Sequence, residues 1–425
     1  MTAATASTRP NHASVQPGLG PARFREQFWL LNNTVRTLGV EWDQSRLGYA
    51  LGPIRDDRAA ADMALIRQGV TKWENYLPVI QSVAERREQL AAAAKSAGHP
   101  LTAQTHSYAA AQLWALSTWP LWETTPELVE IARRQDEAYR QWGGGGDHRV
   151  ELVDIPFRGK ALPAYFHLPP GFDGTPVPTV LAIPGMDAGR EIQVARVGDE
   201  LLARGFAVLA VDGPGLSGAA IRGIHTSPEA WIEAGGVLVD WLRARPEVDA
   251  DRLVCTGTSF GSFFATFLTA HQPGAFRGVA VAMAVFEPGA HTIFEVAAPT
   301  YKARHMWMAG LERDEAAFDE LVRGYDLRKP IADMTTPWFV ATGEADELSP
   351  VSWVYELTAA CPAPTTALVY DGARHSLDDS PALSLGPVWH AELVDWLYDR
   401  AQGRESSPSV LRRVTRTGAE LTSAL

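Results

Sequence analysis

The chain has 425 residues, 46% apolar and 21% charged, a balance that allows a large core and excludes a disordered, collagen-like or coiled-coil protein. Lys and Arg number 38 against 50 Asp and Glu, for a formal charge of −12. So acidic a chain lacks the basic footprint of a nucleic-acid binder and the polybasic anchor of a protein held on anionic membranes.

The start, residues 1–20, carries Pro10, Pro17 and small polar residues and reads as a disordered tail without the apolar stretch of a signal peptide. From 21 to 142 the pattern predicts helices and no strand. Met63, Ile66 and Val70 recur at helical spacing, and 85–97 is rich in strong helix formers. The Ala-rich run 108–119 is broken by Pro120, and Thr125-Pro126-Glu127 opens a helix with Pro at its first position. Half of the 14 tryptophans lie before residue 143. The plain reading is bundle packing. The sharper one makes Trp114, Trp119 and Trp122 an aromatic wall over a substrate pocket. Four glycines at 143–146 mark the boundary between this helical cap domain and a second domain at 147–401.

Beyond them strands and helices alternate, the rhythm of a mostly parallel, doubly wound α/β sheet. Runs 150–157 and 161–167 read as a hairpin around Arg158-Gly159-Lys160, and 179–183 as a buried strand ending at Pro184-Gly185. Val194, Val197 and Leu201 mark a helix that ends at Gly205. A strand at 206–211 closes on Asp212-Gly213-Pro214-Gly215, which lacks phosphate-loop spacing and reads as a turn. Ser227-Pro228-Glu229 opens a helix to about 244. A strand at 252–256, a helix at 260–271 and a strand at 276–285 follow. A mostly helical insertion, 288–333, interrupts the rhythm. Strands at 336–342 and 366–370 resume it, and Trp389, Leu393, Trp396 and Leu397 mark a last amphipathic helix. Residues 402–425, with Gly403, Ser406, Ser407 and Pro408, read as a loose tail. The best apolar run, 278–286, is strand-sized against the ~18 residues a membrane span needs. Cys255 and Cys361 are too few for a disulfide framework or a four-thiolate zinc site. The chain is therefore expected to be soluble and cytoplasmic.

The chemistry concentrates where strands end. Gly257-Thr258-Ser259-Phe260-Gly261 matches G-x-S-x-G between an apolar strand and an apolar helix, the turn that projects a serine hydroxyl. A serine nucleophile needs a base oriented by a carboxylate, and in this arrangement the chain order is Ser, Asp or Glu, then His. Asp346 lies just past one strand, with Glu344, Glu347 and Asp371 as nearby competitors. His375 is the fifth residue past the next strand. The other downstream histidines, His271, His291, His305 and His390, fall on helices or in the insertion. An acyl-transfer site also needs N–H donors for an oxyanion. Phe260 supplies one. Met186, in Pro184-Gly185-Met186-Asp187, is the candidate for the other, against a plain strand-end turn. Glu287 and Glu295 sit where the 276–285 strand meets the insertion. They read as capping or surface residues, with an assisting acid as the alternative. No metal-ligand spacing occurs.

With these residues the chain resembles an α/β-hydrolase, and more narrowly the 2,6-dihydroxypseudooxynicotine hydrolase-like group, which includes fungal polyketide-shortening hydrolases. The resemblance rests on the helical cap region, the 184–187 and 212–215 turns, the 257–261 elbow, Asp346, His375 and the insertion segment Pro299-Thr300-Tyr301-Lys302-Ala303-Arg304-His305-Met306-Trp307-Met308-Ala309-Gly310. It implies hydrolysis of a carbon–carbon bond next to a ketone, with a glutamate assisting, for which Glu287 and Glu295 both remain open. The expected enzyme acts on a bulky aromatic or polyketide-like small molecule without cofactor, metal, nucleic acid or membrane, and a homodimer is the assembly it could form. Ester hydrolysis, elimination and acyl transfer use the same residues and stand as alternatives.

Overall fold

Ten strands pair into one sheet in a computed structural model that describes residues 18–425 apart from 55–56, 144–147, 194–198, 378–379 and 407. They are β1 (Val150–Phe157), β2 (Lys160–His167), β3 (Val177–Ile183), β4 (Ala207–Val211), β5 (Val248–Thr258), β6 (Val279–Ala282), β7 (Trp338–Gly343), β8 (Thr365–Tyr370), β9 (Val410–Val414) and β10 (Glu420–Ala424). Their order is β1-β2-β4-β3-β5-β6-β7-β8-β9-β10. The run from β4 to β9 is parallel throughout, and antiparallel strands flank it: β1 and β2 at one end, β10 at the other. The direction of winding reverses at β3, and an open α/β sheet binds ligands beyond its carboxyl ends at such a point.

Six helices precede the sheet: α1 (Ala22–Leu38), α2 (Arg46–Leu51), α3 (Asp57–Gly69), α4 (Tyr76–Ser96), α5 (Pro100–Ser117) and α6 (Pro126–Gly143). The core adds α7 (Asp199–Ala203), α8 (Ser217–Ile221), α9 (Pro228–Arg243) and α10 (Phe260–Ala270). The insertion holds α11 (Pro299–Met308), α12 (Glu315–Val322) and α13 (Arg328–Ala332). Then come α14 (Ser352–Ala360), α15 (Pro381–Leu385) and α16 (Trp389–Ala401). Successive side chains of a strand point to opposite faces. Thus Leu181 and Ile183 of β3 pack with α9 and α10, while Val180 and Ala182 pack with α7 and α16. Both faces are covered, which is why the central strands read as unbroken apolar runs. The α9–α10 layer continues without a break into the interior of the six-helix cap, where Ile80, Leu113, Trp73 and Trp122 belong to the same apolar cluster.

Two expectations change. Residues 402–425 are not a loose tail, because β9 pairs with β8 and β10 with β9. Val414 is fully buried, and Arg412 and Arg413 meet acidic partners instead of water alone. The 276–285 strand is shorter than its apolar run, because Met283 takes a positive φ of 56° and turns the chain out of the sheet. The helix predicted through Val194 and Val197 is seen only as α7, and those two residues lie outside the described residues. So do residues 1–17 of the predicted N-terminal tail and three of the four boundary glycines, 144–146.

Candidate active site

The turn from β5 into α10 puts Ser259 at φ 56°, ψ −128°. Non-glycine residues seldom hold such a conformation, and it persists only where the surroundings enforce it. Here they do. The Ser259 N–H donates to Ala282 O of β6 at 3.1 Å, and Ser262 N–H closes on Ser259 O at 2.8 Å. Both flanking glycines are sterically required. A Cβ at Gly257 would overlap Gly261 O, and one at Gly261 would overlap Ile183 O and come within 2.7 Å of Pro184 O.

His375 and Asp346 arrive from the loops after β8 and β7. His375 Nε2 is 3.0 Å from Ser259 Oγ, and its Nδ1 is 2.9 Å from Asp346 Oδ2. The other carboxylate oxygen of Asp346, Oδ1, accepts from Leu348 N–H at 2.8 Å and Ser349 N–H at 3.0 Å. Burial pulls the His375 imidazole down. The Asp346 charge and hydrogen bond, helped by Glu347 and Asp187, outweigh it and hold the group above the ordinary histidine value. The competing carboxylates are engaged elsewhere. Glu344 accepts from Gly372 N–H at 3.0 Å and pairs with Arg413, and Asp371 pairs with the same arginine. Glu347 accepts the His375 backbone N–H at 3.0 Å.

Phe260 is the first residue of α10, where backbone N–H groups have no partner inside the helix. Met186 lies in the turn after β3, which packs against Ser259 so closely that a Cβ on Gly185 would be 3.1 Å from Ser259 Cβ. Ser259, His375 and Met186 line a cleft together with Asp187, Tyr49 and Tyr301. Ile192, Met283, Ile293 and Leu348 make its apolar wall, and Gln44 adds an amide.

Other sequence candidates are not at this cleft. Trp114 hydrogen-bonds Glu88 at 2.8 Å and lies under the Arg134 guanidinium inside the cap. Trp122 packs edge-on against Phe24. Trp119 carries the Arg46 guanidinium 3.6 Å over its ring, one layer behind the cleft. All three rings are buried, and none lines the cleft. Glu287 accepts from Thr292 N–H at 2.6 Å and caps a helical turn, and Glu295 is exposed and paired with Lys302 at 2.6 Å. Among the described residues, no group of three or more His, Cys, Asp or Glu side chains is placed to hold a metal ion.

The sequence reading missed the polar set that joins cap, insertion and core. Asp187 accepts from Tyr49 OH and from Arg46 Nε, the latter at 3.1 Å. Arg46 also pairs with Asp43 at 2.7 Å, and Arg304 of α11 reaches Met186 O. Only the place of Asp187 beside Met186 hinted at this. A buried arginine leaves no periodic trace in a six-residue helix such as α2.

Residues 198–403, the segment that holds Ser259, Asp346 and His375, match the prolyl oligopeptidase family model. The chain is 30% identical over 193 residues to the α/β hydrolase gkaG of Penicillium citrinum, covering 43% of this chain and 44% of that one. It is 32% identical over 154 residues to the hydrolase ORFZ of Pyricularia oryzae, covering 33% and 35%. The chain thus spans less than half the length of these curated relatives. The structure of 2,6-dihydroxy-pseudo-oxynicotine hydrolase superposes with a TM-score of 0.70 at 21% identity, covering 85% of this chain and 98% of that one. AbyA5 superposes with a TM-score of 0.62 at 19% identity, covering 83% and 91%. No helix among the described residues is long and apolar enough to cross a membrane. Sheet order, the strained serine turn and these likenesses agree on an α/β-hydrolase fold for this chain.

Proposed function

We propose that the chain is a serine hydrolase that cleaves a carbon–carbon bond next to a ketone in a bulky aromatic or polyketide-like small molecule. The observation that carries the reading is the row Ser259–His375–Asp346, joined at 3.0 and 2.9 Å and opening on the cleft. Ser259 Oγ attacks the carbonyl carbon while His375 Nε2 takes its proton. The oxyanion is received by the Met186 and Phe260 N–H groups. The carbon–carbon bond then breaks, its electron pair leaves on the enolate-type fragment, and His375 returns the proton to that fragment. Water, activated by His375, releases the acid from Ser259. Asp346 holds the imidazole in the tautomer with hydrogen on Nδ1 and balances its charge.

The cleft sets Ser259 and His375 beside the apolar side chains of Ile192, Met283, Ile293 and Leu348. Its apolar wall and polar end suit a ring or chain that bears oxygen functions. The choice of bond is supported by the likeness, cap included, to a protein named as the hydrolase of 2,6-dihydroxy-pseudo-oxynicotine. A second reading, carboxylic-ester hydrolysis, is favoured by one observation: neither Glu287 nor Glu295 lines the cleft, and an alkoxide leaving group needs no acid beyond His375. The test is a panel of β-diketones and aryl esters turned over in ¹⁸O-labelled water. Faster cleavage of β-diketones, with label in the released carboxylate, is expected. Turnover of aryl esters alone selects the second reading, and products without label would mean elimination or acyl transfer.

A further inference from the structure

The Met186 turn is gripped from outside the sheet. Arg304, on α11 of the insertion, is 2% exposed. Its Nε donates to Met186 O at 3.4 Å, and its Nη1 donates to Thr118 O at 3.2 Å and Leu121 O at 3.3 Å, both in the connection between α5 and α6. The guanidinium lies 4.4 Å over the Trp307 ring. These hydrogen bonds all go to backbone carbonyls and none to a carboxylate. Desolvation draws the group down to about 10, so it keeps its charge near neutral pH. A buried cation so placed is costly unless its geometry serves the structure around it.

The next residue, Asp187, is held from the other side by Tyr49 and Arg46 of α2, and Arg46 stacks on Trp119. The carbonyl of Met186 and the side chain of Asp187 are therefore both anchored. These anchors hold the Met186–Asp187 peptide, and with it the Met186 Cα that carries the N–H on its other side. Donors aimed at an oxyanion act through their fixed direction, and a shift of about 1 Å can cost on the order of 10²-fold in rate.

We propose that Arg304 is a positioning residue for the Met186 N–H, so that the cap and the insertion complete the oxyanion site as well as cover it. The proposal rests on the serine mechanism above. It is tested with Arg304→Met in the full-length protein. The readouts are kcat and KM on a p-nitrophenyl ester, and inhibition by an arylboronic acid, whose boron takes up Ser259 Oγ to form a tetrahedral anion. We expect kcat to fall about 10- to 100-fold, as part of the 10²–10³ that loss of a whole oxyanion donor costs. KM should stay within about threefold, and boronate affinity should fall by the same factor as kcat. A merely structural role would lower the active fraction without changing the boronate affinity of what remains.

If Arg304→Met does not fold, Arg304→Lys replaces it. One ammonium cannot span Met186 O, Thr118 O and Leu121 O, so a parallel loss of about 3- to 30-fold in both readouts is expected, scaled down from the same oxyanion cost. The proposal is overturned by kcat within threefold of wild type, or by a fall in kcat with unchanged boronate affinity. Ser259→Ala separates the two levels of inference. If it retains turnover, the serine mechanism and the role of Arg304 fall together. If it is inactive while Arg304→Met turns over normally, only the positioning role falls.

Discussion

Replacing Asp346 by Asn changes one atom, and the surroundings dictate where that atom goes. Oδ1 of Asp346 accepts two backbone N–H groups, at 2.8 and 3.0 Å. An asparagine keeps its carbonyl oxygen there and turns its NH₂ toward His375 Nδ1. The imidazole then carries its hydrogen on Nε2 and cannot take the proton of Ser259. The opposite rotamer restores the working tautomer but leaves two buried backbone donors facing an NH₂ group. At about 1–3 kcal/mol for each of the two unsatisfied donors, that rotamer is populated at roughly 3 × 10⁻² to 4 × 10⁻⁵. Loss of the negative charge beside the imidazolium pushes the effect toward the larger end, so kcat/KM should fall about 10³- to 10⁴-fold.

The pH profile carries a second signature of the same change. In the proposed mechanism the base is neutral His375, whose raised value means that kcat/KM climbs through a limb above pH 6.5. In the variant burial acts without its main counter-charge, so the residual activity should show a limb displaced to lower pH. The folded-state value is raised above the unfolded one, so the Asp346–His375 interaction adds stability below pH 6.5 that is lost as pH rises through the folded value. The Tm deficit of the variant should therefore be largest in acid. Stopped-flow ester hydrolysis and thermal melts across pH 5–9 measure both. The reasoning is refuted if Asp346→Asn keeps more than about a tenth of wild-type activity, or if Glu344→Gln or Asp371→Asn proves the crippling change.

Three other outcomes are expected. Gly261→Ala drives a Cβ into Ile183 O and to within 2.7 Å of Pro184 O, so the protein should be insoluble or strongly destabilised, and an ordinary Tm with full activity would show that the turn relaxes freely. Trp119→Ala removes a buried ring and the platform under Arg46, so urea unfolding should show a loss of about 3–5 kcal/mol; a raised KM at unchanged stability would return Trp119 to the pocket wall. Glu287→Gln and Glu295→Gln should each leave turnover of a β-diketone within about threefold, since capping and exposed ion pairs contribute about 1 kcal/mol or less, and a hundredfold loss in either would restore that glutamate as the assisting acid.

Ser259, Asp346 and His375 could be located from sequence because each follows an apolar strand whose end is marked by glycine or charge, and the sheet brings such ends to one edge. The insertion was legible as an interruption of rhythm. What lay beyond reach was orientation. A tryptophan at helical spacing looks the same whether it faces a bundle interior or a cleft, and Trp114, Trp119 and Trp122 face the interior. Glu287 and Glu295 sit at a strand end as triad acids do, yet local bonds to Thr292 and Lys302 claim them. Arg46 and Arg304 were invisible because buried charge is defined by partners far along the chain, such as Asp187 for Arg46 and Thr118 for Arg304. The C-terminal strands were hidden by composition. Arg412 and Arg413 look solvent-bound until Glu392, Glu420, Asp371 and Glu344 are seen around them.

Those two strands bear on how the chain tolerates shortening. β9 lies along β8, the strand that delivers His375, and Arg413 bridges Glu344 beyond β7 and Asp371 beyond β8. One cation thus laces together the roots of the two loops that carry Asp346 and His375. A protein trimmed after α16 would keep every residue of the proposed chemistry. It would nevertheless bare β8 as an unpaired edge, the kind of surface on which chains template one another into aggregates, and would free the two loop roots from their common tie. A tag or fusion partner is therefore best carried at the amino end, leaving the carboxyl-terminal hairpin to guard a margin of the sheet that the triad geometry depends on.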